Sequence, residues 1–230
     1  MNEKNNVRNI TPVLVIYYIC LLVVWGLYTL LLKPVICSAL GEETFISSFL
    51  RSGILKNLVW TLPAALLITK FRKSCMVSLK DMFTKISPEW KGFLFIFPCF
   101  IIFVIVSSIR THGGLQISES FGVDDIITVL FVGITEELVF RGWLLNSTVK
   151  EDSTSKQQYI AIGVNAVLFL CIHFPIWISK GEFVSNFASL GFISILVLSA
   201  IFSFAFIKTK NILLPIALHM FWDLLVFMLV

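Results

Sequence analysis

Apolar runs of membrane-spanning length alternate along this chain with short polar breaks. Seven can be read off, approximately Pro12 to Leu32, Ile54 to Thr69, Phe93 to Ser108, Asp125 to Leu145, Tyr159 to Ile178, Phe187 to Ile207 and Ile212 to Val230. Crossing the hydrocarbon of a bilayer takes about 20 mostly apolar residues in a helix, because lipid offers the backbone no hydrogen-bond partner and a helix supplies its own. The second and third runs are the shortest, and the fourth carries charges near its middle. The pattern predicts an all-α membrane protein, a polytopic bundle of about seven transmembrane helices. One integral-membrane domain is expected to fill residues 1–230. A signal peptide would have an apolar core of about 7–15 residues and a small-residue cleavage site. The first run is longer and ends at Lys33-Pro34 without such a site, so it is expected to remain as a helix.

Composition strengthens this reading. Hydrophobic residues make up 57% of the chain and charged ones 14%, with a mean hydropathy of +0.92. Soluble domains carry about a quarter charged residues. The basic residues suggest an orientation. Lys70, Arg72, Lys73, Lys80, Lys85 and Lys91 crowd one loop, which the positive-inside tendency places in the cytoplasm. Alternation then puts Lys4, Arg8, Lys150, Lys156, Lys208 and Lys210 on the same side. Lys33, Arg51, Lys56, Arg110 and Lys180 remain outside, so the bundle reads as N-in and C-out in a cell membrane. The net charge of +4 needs no nucleic acid, since a basic face can meet anionic lipid headgroups. The five cysteines suggest no disulfide: Cys20, Cys99 and Cys171 fall within runs, and Cys37 and Cys75 fall on opposite sides.

Three polar clusters interrupt the C-terminal runs. An ionised Asp, Glu or Arg at the centre of a membrane helix costs roughly 2.5–3.5 kcal/mol on insertion scales. Glu136, Glu137, Arg141 and Asp223 therefore call for something on the order of 10 kcal/mol in compensation. Glu137 and Arg141 are four apart with the acid first, the favourable order for an intrahelical ion pair. Glu136 is turned about 100° away and has no local partner. A carboxylate held away from water without a partner meets a condition for a general base near neutral pH. His173 closes the fifth run, and His219 and Asp223 sit one turn apart on the seventh. A carboxylate beside an imidazole fixes its tautomer and supports its cationic form. Each cluster also has a plainer reading as a packing salt bridge or a satisfied buried pair. Cys171 and His173, two apart on a helix, do not face each other as a nucleophile and base would. The Phe and Trp residues nearby read as core or lipid-facing.

Taken in order, Glu136-Glu137 with Arg141, Phe169 with His173, and His219 with Asp223 resemble the motifs of the CPBP family, the CAAX-processing and bacteriocin-processing (Abi) intramembrane proteases. These motifs span about Asp124 to Leu225, and the first three runs match nothing in it. The resemblance implies an endopeptidase with a hydrated site inside a helical bundle, cutting a membrane-associated peptide or a lipid-modified protein. Glu136 would activate water, His173 would help hold it, Arg141 would orient the acidic pair through Glu137, and His219 with Asp223 would face the developing oxyanion. Prenyl-protein endopeptidases of the family carry Asn at the last position, where this chain has Asp223. Ionised Asp cannot donate a hydrogen bond, so an imidazolium at His219, held cationic by Asp223, would have to. Glu136, His173 and His219 would be the ligands if a metal such as zinc is held, but a metal-free glutamate mechanism is the favoured reading. The alternative function is a non-catalytic immunity protein or scaffold using the same polar residues to lock the bundle. A transporter is disfavoured because no repeat pairs the two halves.

Overall fold

A computed structural model describes residues 10–41 and 44–229, and among these every regular element is helical. Seven long helical stretches organise the chain: α1 (Thr11–Leu40), α2 (Phe45–Lys70), α3 (Pro88–His112), α4 (residues 123–148), α5 (Ser155–Lys180), α6 (Gly191–Thr209) and α7 (Leu213–Leu229). Five of them, α1, α2, α3, α5 and α6, are long and apolar enough to cross a membrane. The other two fall short by that measure: α7 has 17 residues, and α4 carries Glu136, Glu137 and Arg141 close together. Lys4 and Arg8, used above for orientation, lie outside the described residues.

The ends of these helices depart from the apolar runs for local reasons. In α1, the Lys33-Pro34 step does not end the helix. A π-helical segment, Tyr28–Leu32, precedes it, and the chain continues to Leu40. Wider i→i+5 turns of this kind relax the hydrogen-bond ladder ahead of a proline that cannot donate. The start of α2 lies at Phe45, nine residues before the expected Ile54, because Thr44 caps it by accepting from the Ser47 amide at 3.2 Å. Arg51 is therefore inside a helix rather than in an outer loop, a correction to the reading from sequence, and Lys56, counted on the outer side at the edge of the second run, lies well within the helix. The fifth run breaks: α5 leaves α-helical geometry after Cys171 and resumes at Phe174, with Pro175 in the first turn of the resumed segment. The expected start at Phe187 belongs to a separate short helix, Phe183–Ala188, divided from α6 by Leu190 at φ 61°.

At the centre stands α4. From Leu138 to Leu145 it is π-helical and every residue is buried. Trp60 and Ile68 of α2, Phe169 of α5 and Phe206 of α6 pack into one cluster with Phe140 and Trp143 of α4. A second cluster joins Phe100 and Val104 of α3 to Phe202 of α6 and Leu218 and Leu225 of α7. By contrast α1 is mostly exposed, presenting Val15, Ile16, Ile19, Val23, Leu27 and Leu31 outward, as a lipid-facing helix does. A helix wrapped on all sides by protein can carry charges that a lipid-facing one cannot, because its neighbours supply the partners. That is why α4 fails a test of apolarity and yet occupies the middle of the bundle.

Buried polar side chains pin the helices together at other depths. Asn146, at the end of α4, donates to Val77 O at 2.8 Å and accepts from the Val77 amide at 2.9 Å, stitching down the loop after α2. Asn165 of α5 donates to Phe140 O at 2.9 Å and accepts from Ser203 of α6 at 3.2 Å. Tyr18 of α1 donates to Leu168 O at 2.8 Å, just before the break in α5.

Candidate active site

α4 passes close against α7 at Gly133. A Cβ there would lie 2.5 Å from Cγ of Met220, so any larger residue would have to push the Met220 side chain aside. One turn further along α4 is Glu137, and next to Met220 is His219. The close pass brings these two together: His219 Nδ1 is 2.8 Å from Glu137 Oε1.

Glu137 is the hub of the network. The same Oε1 accepts from Arg141 Nη1 at 2.8 Å, the i,i+4 pair expected from sequence, with both side chains fully buried. Nη2 of Arg141 donates onward to Ser199 O at 3.0 Å and Ser199 Oγ at 2.7 Å, tying α6 to the pair. The guanidinium lies 4.6 Å from the Phe169 ring centroid and 5.5 Å from that of Phe202, positions that suit a cation against π faces. Phe202 also stacks on His219, centroids 5.2 Å apart at 24°. These aromatics are core residues, one of the two readings open to them from sequence, and they form walls of the polar cluster.

His219 pairs differently from the expectation. Its Nδ1 faces Glu137, a partner on another helix, and its Nε2 faces Asp223 Oδ2 at 3.4 Å, an ion-pair contact too long for a good hydrogen bond. Nε2 is also 4.0 Å from Glu136 Oε2. The imidazole is thus ringed by three carboxylates on two helices.

Glu136 has a partner after all. Lys56 of α2 donates to Glu136 Oε1 at 2.7 Å, both side chains being less than a tenth exposed. Next to it, Asn57 Oδ1 accepts from Thr135 at 3.2 Å, so two consecutive residues of α2 meet two of α4. One turn earlier Gly53 eases this register, since a Cβ there would come 3.1 Å from the Phe131 ring. Sequence reasoning missed Lys56 because it counted the residue, at the start of the second run, among the charges on the outer side. A hint was available: with Glu137 and Asp223 assigned to Arg141 and His219, the third carboxylate called for a further cation.

His173 sits at the break in α5. Its Nδ1 donates to Phe169 O at 2.7 Å, which leaves Nε2 of the neutral ring as the acceptor. The ring packs edge-on against Phe169, centroids 5.0 Å apart, and Phe169 lies 5.9 Å from His219 in turn. The Phe-x-x-x-His spacing thus acts through one carbonyl and one ring. His173, Glu136 and His219 are close enough to interact electrostatically.

Three carboxylates, Glu136, Glu137 and Asp223, face two basic side chains, Lys56 and Arg141. A charged His219 makes the cluster neutral, which is the condition for burying it. Among the described residues no three His, Cys, Asp or Glu side chains are grouped so as to hold a metal ion. Glu136 Oε1 faces an ammonium group, and His219 Nδ1 is engaged by Glu137.

Residues 120–225 match the family described as Type II CAAX prenyl endopeptidase Rce1-like. All six residues expected from sequence lie inside that stretch, and Lys56 lies outside it. No curated protein and no solved structure matches the chain.

Proposed function

We propose, from the premise that residues 120–225 place this chain in the CPBP/CAAX protease family, that it is an intramembrane endopeptidase acting by glutamate-activated water. Its substrate is a membrane-associated peptide or a lipid-modified protein. The observation that carries this reading is the 4.0 Å separation of Glu136 Oε2 and His219 Nε2. A water at about 2.8 Å from each, a normal hydrogen-bond length, bridges that separation with an angle of about 90° at its oxygen. Glu136 takes the proton from this water and the oxygen attacks the scissile carbonyl carbon. The oxyanion that forms accepts from His219 Nε2–H, a cationic donor held between Glu137 and Asp223. When the C–N bond breaks, Glu136 returns the proton to the leaving amine. His173 Nε2 is the acceptor that orients the water. Arg141 holds Glu137 against His219 and touches nothing that reacts.

No metal enters this reaction. Treatment with a zinc chelator leaves the rate unchanged; a loss that added zinc reverses would overturn the metal-free form of the proposal. The seven helices cross the cell membrane with the N-terminus inside, a topology that reporter fusions at each loop test directly. The primary test compares membrane peptides from cells carrying wild type and Glu136→Gln. Uncleaved substrate accumulates in the variant; if no peptide differs while both proteins are equally abundant, the protease reading fails and a non-catalytic lock takes its place.

A further inference from the structure

The N-terminal half lies outside the matched family stretch, yet it delivers a cation to the centre of the site. Lys56 is 6% exposed, and its ammonium donates at 2.7 Å to Glu136, a residue 80 positions away. It is also 4.7 Å from the Trp60 ring centroid and 5.2 Å from that of Trp25, so two aromatic rings fix its stem and head. Asn57, the next residue, is bonded to Thr135, the residue before Glu136. Such placement is more than a snorkelling lysine needs, since a snorkelling head group reaches toward water rather than toward another buried charge.

We propose that Lys56 is a positioning residue of this site: it keeps Glu136 ionised and, by occupying Oε1, leaves Oε2 as the one oxygen free to face His219 and the attacking water. This rests on the protease reading. Of the two carboxylate oxygens, Oε1 points to α2 and Oε2 lies 4.0 Å from His219 Nε2. Without the ammonium the carboxyl group can rotate, and a buried carboxyl with no cation beside it favours the neutral form, which cannot take a proton from water. The N-terminal helices are then part of the catalytic unit, and the matched stretch alone is not.

The experiment uses purified full-length protein in liposomes and, as substrate, a detergent extract of membranes from cells carrying Glu136→Gln, with products counted by mass spectrometry. Lys56→Met is expected to lower the rate about 100-fold, the scale of loss from a misplaced catalytic group. In Lys56→Ala, added propylammonium, which replaces the three carbons and nitrogen removed, restores a measurable part of the rate, and propanol does not. A mere packing role would respond to both additives or to neither. Wild-type turnover by Lys56→Met, or a loss that propylammonium fails to restore in protein with a normal melting curve, overturns the proposal. If wild type itself releases no product that Glu136→Gln lacks, the protease reading fails and this inference falls with it. Turnover by wild type but not by Glu136→Gln, together with full activity of Lys56→Met, overturns the inference alone.

Discussion

The two halves of this bundle use the same amino-acid alphabet for opposite ends. In α1 the side chains that face outward are Val, Ile and Leu, and its buried positions are Tyr18, Leu21 and Thr29. In α4 to α7 the buried positions include Glu136, Glu137, Arg141, Asn165, Ser199, Ser203 and His219. Among the described residues of the N-terminal half, Lys56 is the only charged side chain that is buried. In this contrast α1 faces outward, α4 to α7 surround a polar cluster, and one lysine of α2 reaches into that cluster. Charge inside a membrane protein thus follows the wrapping of a helix and not its hydropathy.

The largest effect that probes this contrast comes from breaking the ion pair within the C-terminal half. Arg141→Met leaves fully buried Glu137 with His219 alone and the buried cluster one cation short, and is expected to destabilise the bundle by about 3–5 kcal/mol. Unfolding in detergent with graded denaturant measures it. The pair between the halves should behave differently. The double variant Lys56→Met/Glu136→Gln removes both charges together, which is commonly neutral or stabilising. It is expected to lie within about 1 kcal/mol of wild type or above it, while being inactive. Equal losses in both experiments would mean that Lys56–Glu136 is a structural strut like Glu137–Arg141, and the contrast between the halves would collapse.

Much of this was legible in the chain. Each of the seven apolar runs lies mainly on one of the long helices, and the i,i+4 geometry of Glu137–Arg141 follows from the helical period alone. What was not legible depended on contacts between helices. The pairing of His219 with Glu137 requires the close pass at Gly133, and nothing in a glycine says which side chain will lie against it. Lys56 was hidden for a different reason. The stretch from Phe45 to Gly53 mixes Ser, Arg and Gly into its apolar residues, so the second run was taken to begin only at Ile54, which put Lys56 at its outer edge, and its partner is 80 positions along the chain. His173 looked like a residue of a continuous helix. Pro175 was visible, but whether a proline kinks or breaks a membrane helix depends on the neighbours that take up the freed carbonyls.

A second prediction sharpens the contrast inside the oxyanion side of the cluster. Asp223→Ala removes one of the carboxylates that hold His219 and is expected to cost about 10–100-fold in turnover. Asp223→Asn should cost less than about 10-fold, because its amide can itself donate to the oxyanion. The same product assay in liposomes measures both. An Asn variant as impaired as Ala would mean that the charge of Asp223, acting through His219, is what matters. Gly133→Ala tests the register that assembles these groups. Its new Cβ would lie 2.5 Å from Met220 Cγ, and overpacking of this kind costs about 1–3 kcal/mol. Met220→Ala in the same chain should recover part of it.

The smallest expected effect comes from the lipid-facing half. Leu31 of α1 is 64% exposed and Leu214 of α7 is fully buried. Truncating Leu31 to Ala exchanges contacts with lipid chains for other contacts with lipid chains, so its stability change should stay within about 0.5 kcal/mol. Leu214→Ala leaves a void between helices that lipid cannot enter, at a cost of about 2–5 kcal/mol. The two substitutions delete the same atoms, so hydropathy drops out of the comparison and only packing remains. If Leu31→Ala proves as costly as Leu214→Ala, the outer face of α1 is covered by protein rather than lipid, and the division into a lipid-facing half and a chemical half must be redrawn.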